Sequence, residues 1–280
     1  MGLSRERISA AYEDACRLEI EALKPGNVHL FADGHGMTAG QFLVSASVSA
    51  GPLTDPDLSV GRRILEAVRA TRQAVGTNTN LGIVLLAAPL ARAAETAGDL
   101  RENLSLVLDE LDVDDAGAVF EAIVTASPGG LGSAEEHDVR EPPKVDLLEA
   151  MRAAAGRDRI ARQYVTRFDD IFETGLATLD DSFARGESGI WPTVFAYMAF
   201  LASFPDSHVA RKHGDETAYR IREEAADVKT AVDAADDDQA RLRLLLEFDS
   251  RLKARNVNPG TSADLTVASL FVHILLQRLA

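Results

Sequence analysis

Gly76-Thr77-Asn78-Thr79-Asn80-Leu81-Gly82 runs directly into Ile83-Val84-Leu85-Leu86-Ala87-Ala88-Pro89-Leu90. The second half is apolar on every side at helical spacing, and a helix of that kind belongs inside a core. Its polar lip therefore sits at the mouth of that core. Upstream, Ser59 to Val75 reads as a helix, and Gly76 is the residue type best able to supply a left-handed C-terminal cap. Asn and Thr can cap the helix that follows, and the free N–H groups at its start suit an anion. An Asn-rich turn with a good cap is the plain alternative, since most N-caps bind nothing. Four further clusters of the same kind bear on the choice.

Outward from this stretch the chain is a succession of helices. Residues 3–23 carry Ile8, Tyr12, Ala15, Leu18 and Ala22 at intervals of three and four. That helix stops at Lys24-Pro25, because a residue before proline disfavours the helical region. Thr38 can cap a helix through Ala50, and Asn80–Ala97 and Leu100–Leu111 follow. Asp114–Ala126 is expected to start on Asp114 as its cap, and Lys144–Ala155 and Asp158–Phe183 come next, the latter in one or two pieces. Trp191–Phe204, Asp215–Ala235, Gln239–Ala254 and Ser262–Leu279 complete the series. No alternating β-branched pattern occurs, and no internal repeat. The spacing predicts an all-α protein, a single large multi-helix bundle over 1–280, with any site gathered at converging helix breaks.

Composition narrows the function. A chain of 280 residues with 46% apolar content can bury a substantial core. No run approaches the roughly 18 uninterrupted apolar residues of a membrane span. Met1 to Arg7 is polar with no apolar signal region behind it, which points to the cytoplasm. A single cysteine, Cys16, rules out a disulfide framework within the chain and reads as a small buried hydrophobe. The net charge of −15 repels nucleic acid and anionic membranes. Against that acidic background, the few cations beside polar motifs stand out.

Five breaks carry chemistry-bearing residues. Glu21 with Lys24-Pro25-Gly26-Asn27-Val28-His29 joins a carboxylate, a cation, an amide and an imidazole in one turn. Read plainly, it is a Pro-Gly helix terminator. Asn78, Thr79 and Asn80 form the second break. The third, Glu135, Glu136, His137 and Asp138, offers oxygen ligands to Mg²⁺ or is a solvated acidic loop. In the fourth, Asp206 precedes Arg211 and Lys212, a carboxylate beside two cations that suits a phosphate chain and its metal ion. It is equally a helix cap with surface bases one turn on. The fifth, Asn258-Pro259-Gly260-Thr261-Ser262-Ala263-Asp264, sets N–H groups, hydroxyls and a carboxylate at the start of an apolar helix, or is a capping motif. It lacks the Lys-Ser/Thr of a Walker loop. HExxH, GxSxG, GxGxxG and paired-cysteine motifs are all missing from the sequence.

Taken in order, Lys24-Pro25-Gly26, Asn78-Thr79-Asn80-Leu81-Gly82, Asp206 with Arg211 and Lys212, and Pro259-Gly260 with Ser262-Ala263-Asp264-Leu265 resemble the triphosphoribosyl-dephospho-CoA synthase family. Lys24 to His29 and Glu135 to Asp138 look closer to its archaeal and methylotroph branch than to its citrate-lyase branch. The resemblance implies an all-α enzyme that joins ATP to 3′-dephospho-CoA or a related nucleotide. The acceptor's ribose hydroxyl displaces adenine and leaves a triphosphoribosyl group attached. Displacement at an anomeric carbon passes through an oxocarbenium-like state, which a carboxylate, a base and an acid assist. Glu21, His29, Asp206 and Asp264 are candidates for those catalytic roles. Lys24, Asn27, Asn78, Thr79, Asn80, Arg211, Lys212, Asn258, Gly260 and Ser262 are candidates for substrate binding. Glu135, Glu136, Asp138 and Asp206 are candidates for Mg²⁺, and a homodimer is the assembly considered. Two alternatives stay open: a paralogue using ATP with another nucleotide or pterin acceptor, and a non-catalytic all-α nucleotide-binding protein.

Overall fold

The periodic segments become helices close to where their apolar spacing places them. A computed structural model describes residues 2–31, 36–128 and 137–280. Among these, α-helices are the only extended regular structure apart from one π-helical segment, and no strand occurs. None of the helices is long and apolar enough to cross a membrane. The chain divides into two compact units, the first Met1–Cys16, Gln41–Asp169 and Phe271–Ala280, the second Arg17–Gly40 and Asp170–Leu270.

Helix α1 (Arg5–Glu21) contributes its first part to the first unit, which also holds α2 (Ala39–Leu53), α3 (Val60–Val75) and α4 (Leu81–Ala94). Every residue of α4 except Gly82 and Arg92 is buried, as its all-round apolar sequence requires. Pro89 lies inside this helix and cannot donate to the carbonyl four residues back. The Tyr164 hydroxyl donates to that same Leu85 carbonyl at 2.6 Å. Ser59 caps α3 and Gly76 ends it in the left-handed conformation, φ 75°. After α5 (Leu100–Asp109), the cap of α6 (Val113–Ala126) is Asp112 rather than Asp114. Asp112 accepts from the N–H groups of Asp114 and Asp115, and Asp115 answers with a bond from the Asp112 N–H, closing a capping box. Asp115 also accepts from Gly61 N–H and Ser59 Oγ, tying α6 to α3. The unit continues through α7 (Leu147–Ala154) and α8 (Arg159–Val165).

The second unit contains the π-helical segment Asp170–Leu176, α9 (Ala177–Ala184), α10 (Trp191–Ser203), α11 (Ser207–His213), α12 (Asp215–Asp233), α13 (Asp238–Ala254) and the start of α14 (Gly260–Leu279). The stretch 158–183, expected in one or two pieces, is broken: Arg167 and Phe168 take positive φ, ending α8, and the chain resumes in the wider π form. Helix α10 supplies the centre, with Trp191, Val194, Phe195, Tyr197, Met198 and Leu201 packed among buried residues of α12 and α13. Pro205-Asp206 ends α10 as expected, but residues 207–213 form a short helix of their own.

Candidate active site

Three of the five sequence breaks meet in the second unit. The turn after α1 is folded around Lys24, whose side chain is fully buried. Its ammonium pairs with Glu19 Oε1 at 2.7 Å and donates to the Val28 carbonyl at 2.6 Å, so the cation closes the turn upon itself. Burial pushes the Glu19 pKa up and the Lys24 pKa down, each offset by the partner's charge. Tyr197 of α10 donates its hydroxyl to the Pro25 carbonyl at 2.7 Å. Gly26 follows at φ 83°, and a Cβ there would stand 2.8 Å from Pro259 Cδ. The absent side chain lets this turn and the loop before α14 touch.

Polar bonds knit the same contact. Asn27 Nδ2 donates to Asn258 Oδ1 at 2.8 Å, while its own Oδ1 accepts the Val28 N–H. Gly26 N–H donates to Asp249 Oδ1 on α13 at 2.8 Å. Asp249 Oδ2 holds the Lys253 ammonium at 3.1 Å, and Asp249 Oδ1 lies 3.5 Å from His29 Nε2. Lys253 Nζ is itself 3.4 Å from the same Nε2. His29 is fully buried, and its Nδ1 has no hydrogen-bond partner among the described residues. Burial pushes the imidazole pKa down, and Lys253 and Lys24 push the same way against Asp249. For Asp249 burial works upward, yet the neighbouring His29 ring, the Gly26 N–H and Lys253 together outweigh it and hold the carboxyl below its usual range.

The fourth and fifth breaks join through Asp206. Its Oδ1 accepts the N–H groups of His208 and Val209, capping α11. Its Oδ2 accepts both the N–H and the hydroxyl of Ser262 at 2.8 Å, capping α14. Thr261 Oγ1 accepts from His208 N–H, and the His208 ring lies against Gly260. Burial pushes the Asp206 pKa up against the pull of these four bonds. Asp264, half-buried just past the first turn of α14, acts electrostatically on Lys24. Arg211 and Lys212 are exposed on α11. Glu21 stands at the half-buried end of α1, paired with Arg17 at 3.4 Å.

The Asn78–Asn80 stretch belongs to the first unit. Asn78 Oδ1, rather than Asn80, accepts the first free N–H of α4, that of Leu81. Asn80 turns inward and donates to Ser49 Oγ, Thr79 bonds Ser45 Oγ at 2.6 Å, and Tyr12 bonds Ser49 Oγ at 2.9 Å. These partners are neutral, and the motif forms a buried amide and hydroxyl network.

The proposed magnesium ligands do not form a site in the described residues. Glu135 and Glu136 lie outside them, and Asp138 is forked by Arg140 Nε and Nη2 at 2.8 and 2.6 Å. Asp206 already accepts four bonds, and among the described residues no cluster of three His, Cys, Asp or Glu is placed to hold a metal.

Glu19, Asp249 and Lys253 carry much of the cluster without having been marked in the sequence. Their signal was available: Glu19 falls four after Ala15 and three before Ala22, on the apolar stripe of α1. Asp249 falls four after Leu245 and three before Leu252, on the buried face of α13. A charge on a helix's apolar stripe must find a partner inside.

Comparison with known proteins bears on the family and the fold. The family model described as ATP:dephospho-CoA triphosphoribosyl transferase matches residues 5–280. No curated protein matches the chain. Among solved structures, the chain is similar to a crystal structure provisionally described as a triphosphoribosyl-dephospho-CoA synthase from Archaeoglobus fulgidus. The two share 28% identity at a TM-score of 0.65, over 84% of this chain and 97% of that one.

Proposed function

The chain belongs to the ATP:dephospho-CoA triphosphoribosyl transferase family, and from that premise we propose that its reaction is carried by the polar cluster of the second unit. The activity is transfer of the triphosphoribosyl group of ATP to dephospho-CoA. In this reading the acceptor's ribose hydroxyl bonds to C1′ as the C1′–N9 bond breaks. The bond's electron pair leaves with adenine, and the proton lost by the hydroxyl balances the one that adenine takes up.

The residues divide the work by chemistry. His29, buried with an unmatched ring nitrogen, serves the departing adenine as its hydrogen-bonding acid. Asp264 supplies negative charge for the oxocarbenium-like carbon. Arg211 and Lys212, exposed on α11, meet the triphosphate, with guanidinium suited to two phosphate oxygens at once. Lys24 and Asp206 hold the turn and the two helix starts in register. Magnesium enters as the counter-ion of the triphosphate, since that ion is usually held by substrate phosphates and water with few protein ligands. No step is assigned to it.

The observation that carries this reading is the meeting of turn 24–29 with the Asn258–Ser262 loop at Gly26 and Asn27, next to the buried His29. Adenine release from ATP with dephospho-CoA as acceptor tests it. His29→Ala and Asp264→Asn are expected to lower kcat by about 10²-fold or more while keeping the wild-type unfolding midpoint within a few degrees. Wild-type turnover in both variants would remove the site from consideration.

A further inference from the structure

The nitrogen of His29 that faces inward toward its neighbours is Nε2, and the atoms around it restrict how the ring can be protonated. Lys253 Nζ stands 3.4 Å away and Asp249 Oδ1 3.5 Å away. An ammonium has three donors and no acceptor, so a ring nitrogen facing it can only accept. Asp249 Oδ1 is already supplied by the Gly26 N–H at 2.8 Å, and Oδ2 by Lys253 at 3.1 Å. The carboxylate thus has donors without the imidazole, whereas Lys253 keeps a hydrogen directed at Nε2. On this side of the ring, the lone pair belongs on Nε2.

Resting on the placement of the reaction in this cluster, we propose that Lys253 and Asp249 are positioning residues that fix His29 as the Nδ1–H tautomer, so that the site offers bound nucleotide a hydrogen-bond donor. Asp249 holds Lys253 in place, and Lys253 holds the ring. Nδ1 then carries the ring's only N–H, and it is a buried polar atom with no partner among the described residues. A buried donor left unmatched is costly, and an acceptor atom of the nucleotide relieves that cost on binding. Leu30 and Phe31, the next two residues, are 59% and 52% exposed, and the Phe31 ring lies 5.9 Å from the imidazole. The charged groups facing the ring are Asp249 and Lys253 from α13 and Lys24 from its own turn, the last paired with Glu19 of α1.

Nitrogen-15 NMR of histidine-labelled protein reads the tautomer directly, with His29→Gln assigning the resonance. In the wild type Nδ1 is expected to be protonated and Nε2 bare. Lys253→Met should move the hydrogen to Nε2, toward Asp249, lower kcat for adenine release about tenfold or more, and leave the KM for ATP within threefold. Lys253→Arg, which keeps a donor, should restore the tautomer and most of the rate. The imidazole pKa, read from the same nitrogen-15 spectra against pH, should rise in Lys253→Met, where a like charge is lost, and fall in Asp249→Asn. A purely structural Lys253 would alter the unfolding midpoint and leave the tautomer in place. An Nε2–H tautomer in the wild type sinks the inference, and that measurement needs no variant to fold. Should His29→Ala turn over like the wild type, the placement of the reaction fails instead, whatever the tautomer.

Discussion

Asp206 accepts from two helix starts at once, so its carboxylate is the residue on which the meeting of α11 and α14 rests. Replacing it with alanine strands the buried N–H groups of Val209 and Ser262 and the Ser262 hydroxyl, while His208 N–H keeps Thr261 Oγ1, at a cost of about 1–3 kcal/mol for each group that water cannot reach. Asp206→Ala is therefore expected to lose about 3 kcal/mol or more in urea unfolding. Asp206→Asn should lose less, since one amide oxygen still accepts. A wild-type midpoint for Asp206→Ala would refute the stapling role. His29 gives a second residue-scale expectation. Its folded pKa lies below the ordinary value of 6.5, so below that pH the unfolded chain takes up a proton that the folded chain refuses. Stability should fall as pH drops below about 6.5. The slope between pH 6.5 and the lower folded value should flatten in His29→Gln. Asp249 contributes with the same sign but only near and below its ordinary 3.8, outside that window.

At the scale of elements, the first turn of the site depends on one missing side chain. Gly26→Ala would force a Cβ into a left-handed position 2.8 Å from Pro259 Cδ and 2.9 Å from Leu252. The backbone strain costs about 1–2 kcal/mol and the crowding about 1–3 kcal/mol more. Chemical unfolding of Gly26→Ala should show a loss in that range, with adenine release reduced because Asn27 and His29 shift with the turn. Most element positions were legible because periodicity is a local property. The start of α6 was misplaced by two residues because Asp112, Asp114 and Asp115 are all good caps and only the backbone decides among them. The break between α8 and α9 was harder to see. Nothing in Arg167-Phe168 announces positive φ, which the surrounding fold imposes on residues that rarely choose it.

For the whole molecule, the charge of −15 sets a condition on stability that no single pair reveals. Acidic self-repulsion is screened as the Debye length shrinks from about 10 Å at 0.1 M salt to about 3 Å at 1 M. Raising potassium chloride across that range should raise the melting temperature by a few degrees, and a flat or falling trend would show that paired surface charges dominate instead. Bound ATP at about 100 times its Kd should add about 2.7 kcal/mol, read as a rise of several degrees in thermal unfolding. That shift should shrink in Arg211→Ala combined with Lys212→Ala, the two cations assigned to the triphosphate. The order of motifs along the chain pointed to a family whose model matches residues 5–280. That likeness was visible because spacing survives in sequence where contacts do not.

The sequence by itself determined that the chain is helical, where most helices run, that α4 is buried, and which polar breaks were worth watching. Local forces decide those matters: apolar spacing, proline's fixed geometry and the need to cap free N–H groups. Only the tertiary structure decided that Lys24 turns inward to Glu19, that Asp206 serves two helices, and that Asp249 and Lys253 flank His29. Each of those partners is far along the chain or hidden on an apolar stripe. A buried charge is placed by whichever opposite charge or donor the fold brings within about 3 Å, and sequence proximity has no say in that.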